Sequence, residues 1–145
     1  DFEEALHDFE QQTVVDDKDQ NAWSSLGLTY FSLGQYQKSL ECFTKAVELD
    51  MYNRTVLANR ANVYLSLGEW EKALKDLDNA GKIRPHPFDI GKRAIAQAGI
   101  GNATLANTHI SNAARALNSP KFKTSLEYYR GRVNLQLKSY KKAAR

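Results

Sequence analysis

The sequence holds a single cysteine, Cys42, among 145 residues. One thiol excludes an internal disulfide framework and any zinc site built on cysteine pairs. It also fits a reducing, intracellular setting, most simply the cytoplasm. Proline is scarce, with Pro85, Pro87 and Pro120 the three present, so long helical runs meet few breaks. No stretch approaches the roughly 18 apolar residues of a membrane span. The three histidines, His7, His86 and His109, are scattered and fit no metal-binding spacing. No serine or cysteine sits in a nucleophile motif, and Gly99-Ile100-Gly101 follows no strand, so it reads as a helix break and not a phosphate loop. Asp16-Asp17 and Asp76/Asp78 are carboxylate pairs that read as loop and solvent-facing charge, not as an acid–base couple. Together these absences argue against an enzyme and against any cofactor.

What is present is a repeat. Residues 30–40 read YFSLGQYQKSL and residues 64–74 read YLSLGEWEKAL, a self-match at an offset of 34. A fixed period of that length marks stacked supersecondary units, each unable to bury its apolar face alone. Gln20 to Leu33 is apolar at helical spacing through Trp23, Leu26, Gly27, Tyr30 and Phe31, and Gly34 closes it. Tyr36 to Leu49 is a second amphipathic run, and the Gly34-Gln35 break fits only a tight antiparallel pair. The pattern recurs as Thr55 to Leu67, Gly68, and Trp70 to Ile83, which Pro85 and Pro87 end.

A third unit is degenerate: Phe88 to Ile100, a break at Gly99, Gly101 and Asn102, then Leu105 to Leu117. Small Gly91 and Ala94 make it the loosest by expectation. At the start, Phe2, Leu6 and Phe9 align with the second helix of a unit and are expected to lack a packing partner. At the end, Ser125 to Leu137 reads as a first helix carrying Tyr128, Gly131, Asn134 and Leu137, and Tyr140 and Ala143 begin a second.

These residues carry a family resemblance. Trp23, Leu26, Gly27, Tyr30, Phe43 and Ala46 match the tetratricopeptide-repeat (TPR) pattern W-x2-L-G-x2-Y, A-x3-F, A; Ala61, Tyr64, Ala73, Leu77, Ala80 and Pro85 match or substitute conservatively in the next unit. There Leu57 replaces the tryptophan and Arg60 the leucine. The resemblance implies an all-α fold of antiparallel helix pairs stacked into a right-handed superhelix, an α-solenoid. Residues 1–145 then form one array: a half repeat (1–19), two repeats (20–53 and 54–87), a degenerate repeat (88–120) and a truncated one (121–145), a piece of a longer array.

The resemblance also implies a non-catalytic protein-interaction scaffold that takes a peptide or partner helix in a concave groove lined by the first helices. The candidate lining is Ser24, Leu28, Phe31, Thr55, Asn59, Asn62, Leu65, Ser66, Lys92 and Ile95. Asparagines can bond a peptide backbone, while Leu28, Phe31 and Leu65 offer apolar anchors. Chaperone-binding members clamp a C-terminal EEVD carboxylate with lysines and asparagines. Here Asn59 matches, but Ser24 and Leu28 stand where a lysine and an asparagine belong, and only Lys92 or Arg93 offers third-unit charge. That clamp is incomplete, and Ser25 and Lys92 likewise interrupt an asparagine ladder.

Charge is unevenly spread. Residues 1–50 carry three basic and eleven acidic side chains, and residues 101–145 carry nine and one. Such a gradient can order like molecules head to tail, so weak homo-oligomerisation through the ends is the alternative function. The basic C-terminal third holds interleaved tyrosines, a pattern that can also grip nucleic acid. The tyrosines fall where a repeat needs core, which argues against that reading.

Overall fold

The chain is described here by a computed structural model covering residues 2–144, with Phe2 described by its backbone alone. Those residues form α1 (Phe2–Val15), α2 (Gln20–Ser32), α3 (Tyr36–Leu49), α4 (Arg54–Leu67), α5 (Trp70–Ile83), α6 (Pro87–Ile100), α7 (Ala103–Ala116) and α8 (Lys123–Ala143). A 3-10 turn, Pro120–Phe122, leads into α8, and no strand occurs among the described residues. The pairs α2/α3, α4/α5 and α6/α7 are tight hairpins, and each packs on the next.

The period sets the boundaries. Asp19 and Asn53, 34 residues apart in the sequence, are both N-caps. The Asp19 carboxylate accepts from the Asn21 and Ala22 amides at 2.8 and 3.2 Å, and Asn53 Oδ1 from Thr55 and Val56 at 3.1 and 3.3 Å. Gly34, Gly68 and Gly101 turn the chain out of α2, α4 and α6 with φ of 73°, 76° and 91°, a left-handed conformation that favours glycine.

No glycine stands where α8 would need its own turn. It therefore runs as one helix of 21 residues, not as a first helix ending at Leu137 with a second beginning beyond it. Its buried stripe also differs from the one read from sequence. Tyr129 and Val133 are buried and Leu126 and Leu137 half-buried, whereas Tyr128, Gly131 and Asn134 are exposed.

Close approach decides the packing. Phe43, Ala46, Val56 and Val63 form the core beneath α2, α3 and α4. A Cβ on Gly27 would lie 3.1 Å from the Phe43 ring, and the Ser39 hydroxyl donates to the Gly27 carbonyl at 2.7 Å. One period on, Ala61 and Leu77 replace Gly27 and Phe43, and both are fully buried. The small position grows as the large one shrinks.

The degenerate unit is not loose. Gly91 is buried, and any Cβ there would overlap the Tyr129 ring from α8. Gly99 is not a break but an interior residue of α6 whose missing side chain admits the Trp70 ring of α5; the break is Gly101, over which Tyr140 lies. These glycines let three aromatic rings approach backbone. Gly91→Ala should therefore cost about 1–3 kcal/mol, the usual range for overpacking, read as a lowered thermal midpoint. An unchanged midpoint would mean that α8 is not seated on α6 in this way.

The beginning of the chain is also better packed than its sequence suggests. Leu6 and Phe9 of α1 are half-buried against Leu26, Tyr30 and Cys42, so they do have partners. The Tyr30 hydroxyl donates to Glu10 Oε1 at 2.5 Å across the same contact. That bond, with burial, holds the phenol up at about 12. Phe2, expected to share that exposed face, has a side chain outside the described residues.

Candidate functional site

Polar residues at the start of α2 and α4 tie neighbouring helices together. Gln20 Nε2 donates to the Ala46 and Asp50 carbonyls at 2.8 and 3.1 Å, satisfying the end of α3, and Gln20 Oε1 accepts from Asn53 Nδ2 at 2.7 Å. One period later Arg54 does the corresponding work. Its Nε donates to the Arg84 carbonyl at 3.0 Å and its Nη2 to Asp89 Oδ2 at 2.5 Å. Asp89 is 3% exposed, and its other oxygen lies 3.8 Å from the Lys92 ammonium. An ordered chain of charge thus runs from α4 through α6 to the groove.

In the groove a cavity of about 260 Å³ opens between α2, α4, α6 and α8. It brings together Phe31, Asn62, Leu65, Ser66, Lys92 and Ile95 of the sequence-derived lining. Leu65 and Ile95 are its floor, at 7% and 2% exposed; both belong to the core, so they offer a surface and not free side chains. Ser24, Leu28, Thr55 and Asn59 lie outside this cavity. Leu28 and Thr55 are exposed and Ser24 and Asn59 half-buried.

The far wall was not anticipated. Tyr128, Tyr129 and Arg132 of α8 complete the cavity. The Arg132 guanidinium donates to the Tyr128 hydroxyl at 3.0 Å, and the two tyrosine rings meet edge to face at 5.6 Å. Burial pushes the Tyr129 phenol up to about 12 and pulls the Lys92 ammonium down, with Asp89 opposing the latter. The described lining holds two cations and no carboxylate. The signal for this wall lay in the i, i+4 spacing of Tyr129 and Val133, which places α8's apolar stripe one residue away from Tyr128.

A second surprise sits on the other side of α4. Asp76 is not solvent-facing but 3% exposed, gripped by Arg60 through Nε–Oδ2 at 2.7 Å and Nη2–Oδ1 at 2.9 Å. This bidentate pair holds the guanidinium charged more firmly than usual. Among the described residues no group of three or more His, Cys, Asp or Glu could hold a metal ion. No helix among them is long and apolar enough to cross a membrane.

Stacked helix hairpins whose first helices line a groove define an α-solenoid. Residues 21–50 match the family model of the tetratricopeptide repeat, and the described chain has the fold of a TPR-type α-solenoid. Solved structures share the fold. MamA is similar at 21% identity and a TM-score of 0.74, over 79% of this chain and 63% of that one. An O-GlcNAc transferase of Thermobaculum terrenum is similar at 20% identity and a TM-score of 0.70, over 81% of this chain and 23% of that one. The first TPR of Spaghetti (RPAP3), bound to the HSP90 peptide SRMEEVD, is similar at 21% identity and a TM-score of 0.63, over 89% and 95%. The chain thus spans less than two thirds of the first two of these structures. Among curated proteins, none matches the sequence.

Proposed function

We propose that the array is a non-catalytic interaction scaffold, intracellular, that takes a peptide or partner helix in the groove lined by α2, α4, α6 and α8. The observation that carries this reading is the composition of the cavity: an apolar floor beneath Asn62, Ser66, Lys92 and Arg132, with Phe31 beside them. An extended or helical ligand would seat an apolar side chain on Leu65 and Ile95 and bond its backbone to the Asn62 amide. Protein partners rather than small molecules suit a TPR array, whose stacked units expose a long surface. The Spaghetti TPR holds an EEVD-ending peptide. An EEVD terminus is not the ligand proposed here, because Ser24 and Leu28 cannot supply the first-unit clamp.

The test is affinity capture from cell lysate with wild type beside the variant Leu28→Glu/Asn62→Glu. Both positions keep solvent access, so the variant should melt as wild type does. Partners lost from the variant alone are the expected result. Equal retention would remove the groove as the binding surface. In that case the second reading, association of copies through the ends of the array, gains ground. It is supported by Val14, Val15 and Leu135, which are 78%, 85% and 58% exposed near the two ends.

A further inference from the structure

Along α4, Asn62, Leu65 and Ser66 face the cavity described above, while Leu57, Arg60 and Tyr64 follow the opposite stripe, roughly half a turn away at 3.6 residues per turn. That opposite stripe floors another groove, of about 550 Å³, between α3 and α5. Val47 and Leu57 form its base, and Met51, Tyr52 and Ile83 stand at its rim with 61%, 75% and 41% of their surface exposed. Lys72, Lys75 and Lys82 line the α5 side.

The charges do not cancel. Asp76 is the one carboxylate in the described lining, and Arg60 already holds it through two bonds. Flanking Glu69 is taken by Lys72 at 3.1 Å and Asp78 by Arg93 at 3.0 Å. Lys75 and Lys82 make no ion pair among the described residues. The groove is therefore an apolar trough beside a row of available ammonium groups.

The same groove occurs one period earlier and lacks the excess of positive charge. Thr13, Trp23, Tyr30, Lys38, Glu41 and Lys45 line it at positions aligned with Val47, Leu57, Tyr64, Lys72, Lys75 and Asn79. There Glu41 replaces Lys75, Glu10 adds a second carboxylate, and polar Asp17 and Lys18 align with Met51 and Tyr52. The repeat architecture thus supplies a groove in each unit. The first also has an exposed apolar residue, Val14, and in Lys38 and Lys45 two lysines without ion pairs among the described residues, but its two carboxylates, Glu10 and Glu41, balance them. An excess of lysine over free carboxylate belongs to the second alone of these two.

We infer that the groove between α3 and α5 is a second docking surface, which takes an acidic protein segment whose carboxylates meet Lys75 and Lys82 while its apolar side chains lie on Val47 and Leu57 against Met51 and Tyr52. Charge complementarity selects this occupant: a basic or neutral segment would leave the ammonium groups uncompensated beside the trough. The surface is separate from the concave cavity, so the array can hold two partners at once.

The probe is a fluorescein-labelled amphipathic helical peptide of glutamate and leucine, titrated by fluorescence anisotropy, with the lysine–leucine peptide of the same pattern as control. Lys75→Glu/Lys82→Glu should weaken the acidic peptide at least about tenfold and flatten its salt dependence. Met51→Ala/Tyr52→Ala should weaken it while leaving the salt dependence in place. Two variants should leave affinity unchanged: Lys141→Glu/Lys142→Glu, the same charge reversal at the basic end, and Leu28→Glu/Asn62→Glu in the concave groove. The last distinguishes failure here from failure of the concave reading. The inference is overturned if wild type does not bind the acidic peptide, or if Lys75→Glu/Lys82→Glu binds it as wild type does. Equal loss on reversing Lys141 and Lys142, or loss confined to the concave variant, overturns it as well.

Discussion

Replacing Arg60 by leucine should destabilise the array by about 3–5 kcal/mol, and replacing Asp76 by cysteine in the same molecule should restore most of the loss. The single change strands a carboxylate that is 3% exposed, with its two charge-assisted bonds removed. Desolvation without compensation is what makes a broken buried pair costly. Asp76→Cys alone leaves the charge on Arg60, whose side chain keeps 16% exposure and lines an open groove. Water can reach it, so this single should cost less, about 1–3 kcal/mol. The double variant recreates what the molecule already contains one period earlier: Leu26 and Cys42 occupy the aligned positions and are 4% and 5% exposed. An apolar pair and a bidentate ion pair are alternative fillings of one site in the repeat. Thermal melting of the two singles and the double gives the coupling directly, at about 2–4 °C per kcal/mol for a chain near this size. A double variant as unstable as Arg60→Leu would show that the two fillings are not interchangeable.

That exchange explains what sequence reading reached and what it missed. The helix pairs were legible because glycine at a left-handed turn, Asp19 and Asn53 as caps, and apolar residues at helical spacing are local signals repeated at a fixed offset. Pairings that depend on a contact between helices were not. Arg60 looks like a lost leucine when judged alone, and Asp76 like surface charge beside Asp78. Only the joint change at two aligned positions, Leu26 with Cys42 becoming Arg60 with Asp76, carries the information that they touch. Gly91 and Gly99 mislead for the same reason. A glycine inside a helix reads as weakness until the ring that occupies its empty side is known, and Tyr129 and Trp70 come from other helices. The part of the cavity lined by Phe31, Asn62, Leu65, Ser66, Lys92 and Ile95 was legible through the repeat, since these lie on successive first helices. The wall from α8 was not. Its placement follows from a helix that lacks a turn signal and from a stripe set by Tyr129 and Val133, one residue off the repeat's expectation.

Ala46→Trp should have the other large effect, and should abolish cooperative folding of the first two units. Ala46 has no exposed surface and sits with Phe43, Val56 and Val63 at the seam between the α2/α3 hairpin and α4. Interiors are packed to crystal-like density, so an indole finds no volume to occupy there. Its carbonyl also accepts from Gln20 Nε2 at 2.8 Å and from the Asp50 amide at 3.1 Å, so the backbone cannot shift outward without breaking the bonds that tie α2 to the end of α3. Ordinary overpacking by a methylene or two costs about 1–3 kcal/mol. An indole in a sealed seam should exceed about 4 kcal/mol, close to the lower end of the 5–15 kcal/mol that holds a domain together. Gly27→Trp should behave alike, since even its Cβ would already press on the Phe43 ring at 3.1 Å. Because each unit contacts its neighbours alone, the damage should be graded along the chain. Amide exchange in α2 to α4 should lose protection first, and α6 and α8, joined through Gly91 and Tyr129, should retain more of theirs. Unchanged melting of either tryptophan variant would mean that the helices do not meet at this seam. Uniform loss of protection from α1 to α8 would mean that the array folds as one cooperative block and not as coupled units.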